Sequence, residues 1–161
     1  MIYTIQNEFL TVRVEDLGAQ LSSIQAPDGT EYLWQGDPDI WARRAPILFP
    51  FIARLRENTY YLDGQPYAIS THGFARDMVF SLVEQGEDHI SLQLTDTPET
   101  RKVYPFSFSL TVTYTLEGNR LKKCHRVENR SDKDMYYELG AHDGFRAPVE
   151  PGVPMSSWSI R

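Results

Sequence analysis

The chain has 161 residues, of which 41% are hydrophobic and 12% aromatic, and its 16 Lys and Arg against 22 Asp and Glu leave a net charge of −6. That length bounds one domain, or a large piece of one, able to bury a real core, and the apolar content excludes disorder. An acidic chain without a basic run argues against nucleic acid and anionic membranes as partners.

Nine Tyr and eight Phe, with frequent Thr and Val, favour strands over helices. Residues 2–6 and 9–14 read as short strands separated by Asn7 and Glu8. Residues 19–25 follow Leu17-Gly18, and Pro27-Asp28-Gly29 is a turn before a strand at 31–34, so the opening reads as an antiparallel meander. The next stretch, 43–77, is unusual. It holds Arg43, Arg44, Arg54, Arg56, Arg76 and His72 around an apolar run at 45–53 that Pro46 and Pro50 interrupt. Two prolines there forbid a regular helix and disfavour a central strand, so the run reads as a buried loop or a pocket wall. Cations beside such a wall are costly unless something anionic or polyhydroxylated meets them. On spacing alone an arginine-rich solvated loop fits equally well.

Asp63-Gly64, between 59–62 and 66–69, is the favoured type I′ pair of a β-hairpin. His72 and Arg76 are four apart, Gly73 between them permits a tight approach or positive φ, and Asp77 can orient either cation. Residues 78–84 and 90–95 form another hairpin. The clearest periodicity follows: Phe106, Phe108, Leu110, Val112, Tyr114 and Leu116 alternate with Ser and Thr, a half-buried strand with an apolar inner face. The returning strand at 121–128 breaks the pattern, because Lys123 and His125 share a side with Leu121 and Val127. Either a bulge shifts the register or that face is wet. A last strand is expected at 135–139, ending at His142, and loop composition follows. Short helices are expected only near 38–43 and 98–103. Trp34, Trp41 and Trp158 could stack on a sugar, although Trp34, at a strand end, reads more readily as core. Strands at short intervals with Gly, Asp and Asn turns give an all-β, antiparallel sandwich or barrel.

Cys124 is the only cysteine, so no intrachain disulfide forms and no zinc framework is available. The N-terminus has no basic region before an apolar stretch, and no run approaches membrane-spanning length. A soluble, cytoplasmic protein is expected.

Several ordered blocks together carry a resemblance: Glu31 to Asp37 (EYLWQGD), Ile47 to Pro50 with Ala53-Arg54-Leu55, His72 to Asp77 (HGFARD), Tyr104-Pro105-Phe106, Thr113 to Asn119 (TYTLEGN) and Gly140 to Phe145 (GAHDGF). Through them the chain resembles the aldose 1-epimerase (galactose mutarotase-like) family. The resemblance implies a large antiparallel two-sheet β-sandwich, a single domain over 1–161 that looks truncated after about residue 146, since the family's domain is much longer. It also implies a cofactor-free isomerase that interconverts the α and β anomers of a hexose.

Mutarotation needs an acid at the ring oxygen and a base at the C1 hydroxyl, and an imidazole suits the first role at neutral pH. By motif, His142 matches the family's catalytic histidine, the acid, and Arg54 and His72 match its sugar-binding arginine and histidine. Arg76 resembles the residue that grips phosphate in the hexose 6-phosphate branch, which makes a hexose-6-phosphate 1-epimerase an alternative. Otherwise Arg76 makes a surface pair with Asp77 or Glu84. Two positions depart from the family: Asp143, whose carboxylate beside His142 would raise the imidazole's pKa, and Arg146. The family's catalytic glutamate has no match in this chain, and neither Glu138 nor Asp143 suits the role. A non-catalytic carbohydrate-binding remnant is therefore a further alternative. A sandwich cut midway would leave the row from Phe106 to Leu116 uncovered and favour association through open sheet edges.

Overall fold

The structure, a computed structural model, describes residues 1–150 and 152–159. Three short strands, β1 (Ile2–Gln6), β2 (Thr11–Glu15) and β3 (Leu21–Gln25), form the expected antiparallel meander. After the two-residue strand β4 (Ile47–Leu48) comes the hairpin β5 (Thr59–Leu62) and β6 (Gln65–Ala68), whose Asp63 and Gly64 both take positive φ, as a type I′ turn requires. Then β7 (Ser81–Gln85) and β8 (His89–Thr95) lead into helix α1 (Pro98–Val103), which is held by a capping box of Thr97 and Thr100. The long hairpin β9 (Phe108–Glu117) and β10 (Arg120–Asn129) completes a four-stranded sheet in the order β10-β9-β8-β7.

The inner faces of the two larger sheets share one core. Ile5, Val12, Val14 and Leu21 from the first meet Ile90, Leu92, Phe108, Leu110, Val112 and Tyr114 from the second. The Tyr114 hydroxyl, fully buried, donates to the Ala19 carbonyl at 2.8 Å and ties the sheets together. The row Phe106, Phe108, Leu110, Val112, Tyr114 and Leu116 is at most 4% exposed. The expectation that this row would stand uncovered is therefore corrected. Residues of the 19–49 stretch, including Ala19, Leu33, Ala45, Ile47 and Phe49, supply the cover.

Three local expectations also change. β10 pairs with β9 from Arg120 to Asn129 without a register shift, so no bulge explains Lys123 and His125. They lie half-buried on the inner side, and the face there is polar. Residues 38–43 form a turn rather than a helix, with the amides of Ile40 and Trp41 donating to the Asp37 carbonyl. Residues 135–139 are not a strand. Pairing begins later, at β11 (Gly140–Ala141), which lies antiparallel to β4.

Candidate functional site

The site is built around β4 and the loop that follows it. On one side β11 pairs Gly140 with Leu48 and Ala141 with Ile47, and the His142 amide then donates to the Pro46 carbonyl at 3.1 Å. The chain continues between two stretches. The Gly144 amide donates to Arg44, while the amides of Trp34 and Arg146 join Gly144 and Tyr32 across the other edge. Gly144 is required here, because a Cβ would lie 2.8 Å from the Trp41 ring. The Trp41 ring packs on the His142 imidazole with centroids 5.0 Å apart.

On the other side of β4, Phe49 bridges Gly73 in parallel, and the Phe49 carbonyl accepts the amides of Phe74 and Ala75. Gly73 has φ +73°, and a Cβ on it would sit 2.1 Å from the Phe49 oxygen. Both uses foreseen for this glycine, close approach and positive φ, occur together. His72 is also left-handed, at φ 66°. Its amide donates to the Ala53 carbonyl and its Nδ1 accepts the Ala53 amide, each at 2.9 Å. His72 and Arg76 thus share neither a strand nor a regular helix: His72 sits in a turn and Arg76 in a single 3-10 turn, Ala75–Asp77.

His72 and His142 come together. Burial first, then the charges of Arg76, His142 and Arg43, hold the His72 pKa below its ordinary value. Arg54 follows Ala53 in the chain, but its contacts lie with neither histidine. Its Nε donates to Asn58 Oδ1 at 3.2 Å, and it lines a cleft of about 430 Å³ with Asn58, Ser70 and Thr71. Arg76 turns inward, its side chain 17% exposed, with Nη2 donating to the Thr71 carbonyl at 2.7 Å. Asp77 receives Arg43 at 2.9 Å.

The two carboxylates near His142 in sequence are both engaged. Glu138 Oε2 accepts the Ile52 amide at 2.8 Å, and Asp143 pairs with Lys123 Nζ at 2.9 Å. That ion pair, 11% and 23% exposed, explains the wet face of β10: Lys123 points inward because Asp143 meets it there. Asp143 is thus directed at Lys123, where sequence reading set it against His142. Sequence reading gave Trp41 no link to His142 and missed the proximity of Arg43 to His72. The only signals were a tryptophan just before the apolar-cationic stretch and an arginine at its start. Trp34 is half-buried rather than core, and its Nε1 donates to the Trp41 carbonyl at 2.8 Å, which steadies that platform. Among the described residues no group of three or more His, Cys, Asp or Glu is arranged to hold a metal ion, and no helix is long and apolar enough to cross a membrane.

His125 stands beside the Lys123–Asp143 pair with Nε2 buried and unbonded. Burial and then the Lys123 charge outweigh Asp143 and push its pKa down to about 4. A histidine neutral when folded but ordinary when unfolded binds more protons unfolded between those values. Stability should therefore be intact above about pH 6.5, and fall as pH drops from there toward the folded value. His125→Leu should flatten that part of the profile of melting temperature against pH. An unchanged slope would place the acid sensitivity elsewhere.

The all-β antiparallel fold is that of the galactose mutarotase-like proteins. The family model for aldose 1-epimerase matches residues 1–161, and the chain belongs to that family. It is 37% identical over 166 residues to the chromosomal protein LacX of Lactococcus lactis subsp. lactis, covering 99% of this chain and 56% of LacX. A galactose mutarotase related enzyme of Lactobacillus acidophilus superposes with TM-score 0.93 at 40% identity, covering 95% of this chain and 51% of that one. A galactose mutarotase-like protein of Lactobacillus casei gives TM-score 0.88 at 36% identity, covering 90% and 50%. The chain thus spans about half the length of these relatives.

Proposed function

We propose that this chain carries the acid half of an aldose 1-epimerase-type site for a hexose. In that chemistry His142, protonated, gives its proton to the pyranose ring oxygen while a carboxylate takes the proton of the C1 hydroxyl. The C1–O5 bond breaks, the aldehyde turns about C1–C2, and closure on the other face returns both protons with the roles exchanged. His72 Nε2–H and the Arg54 guanidinium bind sugar oxygens, and Trp41 backs the acid. The observation that carries the reading is the convergence of His72 and His142 on the two sides of β4. The engagement of Glu138 and Asp143 also favours a second reading, a carbohydrate-binding module without its own base.

Titration with galactose or glucose and with the corresponding methyl glycosides, which cannot open, tests the site itself. Both sugar forms should bind, and His72→Ala should weaken each by about tenfold, the worth of a hydrogen bond of ordinary strength. Failure of every hexose to bind would overturn both readings.

A further inference from the structure

We propose that Arg76 is a positioning residue for His72: it fastens the turn that fixes His72 as a permanent Nε2–H donor. The argument starts from the proton on the ring. A backbone amide can only donate, so the Ala53 amide, 2.9 Å from His72 Nδ1, requires that nitrogen to be unprotonated. The neutral ring then carries its proton on Nε2. An imidazolium would forfeit the Ala53 bond, since both of its nitrogens donate. The nearby charges of Arg76, His142 and Arg43 act in the same sense, against protonation.

The ring can meet Ala53 only because the backbone of His72 is left-handed, a conformation costly for a side chain with a Cβ and held only where its surroundings insist. Two devices insist. The Gly73 amide donates to the Ser70 carbonyl and Ser70 Oγ to the Gly73 carbonyl, closing the turn from the inside. Arg76 reaches back five residues and donates to the Thr71 carbonyl at 2.7 Å, gripping the peptide that immediately precedes His72. With Nη2 committed there and the side chain 17% exposed, Arg76 is placed to brace the turn rather than to receive a phosphate. That the Nε2–H serves a sugar oxygen rests on the function proposed above, whereas the brace and the tautomer do not.

Long-range ¹H–¹⁵N correlation on histidine-labelled protein reads the tautomer, and proton exchange at the Arg76 guanidinium reads the brace. Wild type should show His72 protonated on Nε2 alone at neutral pH, with slowly exchanging Arg76 Nη protons. Arg76→Gln should give a tautomer mixture at His72, and binding of glucose and glucose 6-phosphate should fall by the same factor, about tenfold. Arg76→Lys, which keeps a donor, should recover the single tautomer in part. Free-arginine exchange at Arg76 in wild type would overturn the proposal without any variant having to fold. A single tautomer retained in Arg76→Gln would overturn it too, as would a loss confined to glucose 6-phosphate, which would assign Arg76 to phosphate. Should neither sugar bind, the function fails, while the tautomer and exchange readings still decide the brace.

Discussion

On the function proposed above, the chain should accelerate glucose mutarotation when acetate is present, and His142→Gln should abolish that acceleration. With Glu138 holding the Ile52 amide and Asp143 paired to Lys123, neither neighbouring carboxylate is available as a base. In a buffer free of small carboxylates, pure α-glucose should then relax in the polarimeter at the buffer rate when the chain is added. Acetate can enter and take the C1 proton, so a component proportional to both chain and acetate should appear above ordinary acetate catalysis. A positioned general acid is worth about 10²- to 10⁴-fold, and removing His142 should cost that component at least the lower figure. Rescue that survives His142→Gln would place the acid elsewhere. Acceleration without acetate would reveal a base within the chain, and Glu138→Gln and Asp143→Asn would be the first variants to locate it.

The largest loss of stability is expected from Gly73→Ala. Its φ of +73° alone costs a side chain about 1–2 kcal/mol. The new methyl would also sit 2.1 Å from the Phe49 carbonyl oxygen, a backbone atom that cannot swing aside. Moving it would break its bonds from Phe74 and Ala75 and unseat the Phe49 ring from Phe74, Tyr104 and Phe108. Overpacking of this kind costs about 1–3 kcal/mol more, so the sum is a large part of a typical margin of about 5–15 kcal/mol. Gly118→Ala is the internal reference: it has φ +60° and nothing within 4 Å of the added atom. Urea midpoints should fall far more for Gly73→Ala than for Gly118→Ala. Equal falls would show that the close approach at Phe49 costs nothing.

What the sequence made legible was local. The alternation from Phe106 to Leu116 names its own inner face, Asp63-Gly64 names its turn, and the short helix expected at 98–103 is α1, because each signal lies within the element it describes. What stayed hidden depends on partners far along the chain. Lys123 points inward for the sake of Asp143, twenty residues on, and a strand pattern holds no record of that. The segment 135–139 looks as strand-like as any, yet the pairing goes to Gly140 and Ala141, since β4, not local propensity, offers the edge. Arg76 was open to two readings, surface pair or phosphate grip. The pair with Asp77 forms, Nε to Oδ2 at 3.5 Å, while the shorter contact, to a carbonyl five residues back, leaves no trace in residue types. For His72 and His142 the motif singled out both residues, and only the fold shows that one strand separates them.

That strand is two residues long, and each histidine takes its position from one of its edges. Both side chains are therefore surveyed from a single benchmark. A disturbance that slides Ile47 to Phe49 along the core carries them in the same direction, so the spacing between them is protected while their common distance to anything fixed elsewhere is not. Damage to the packing beneath Phe49 should accordingly show itself as poor capture of the ligand well before the two imidazoles lose their relation to each other.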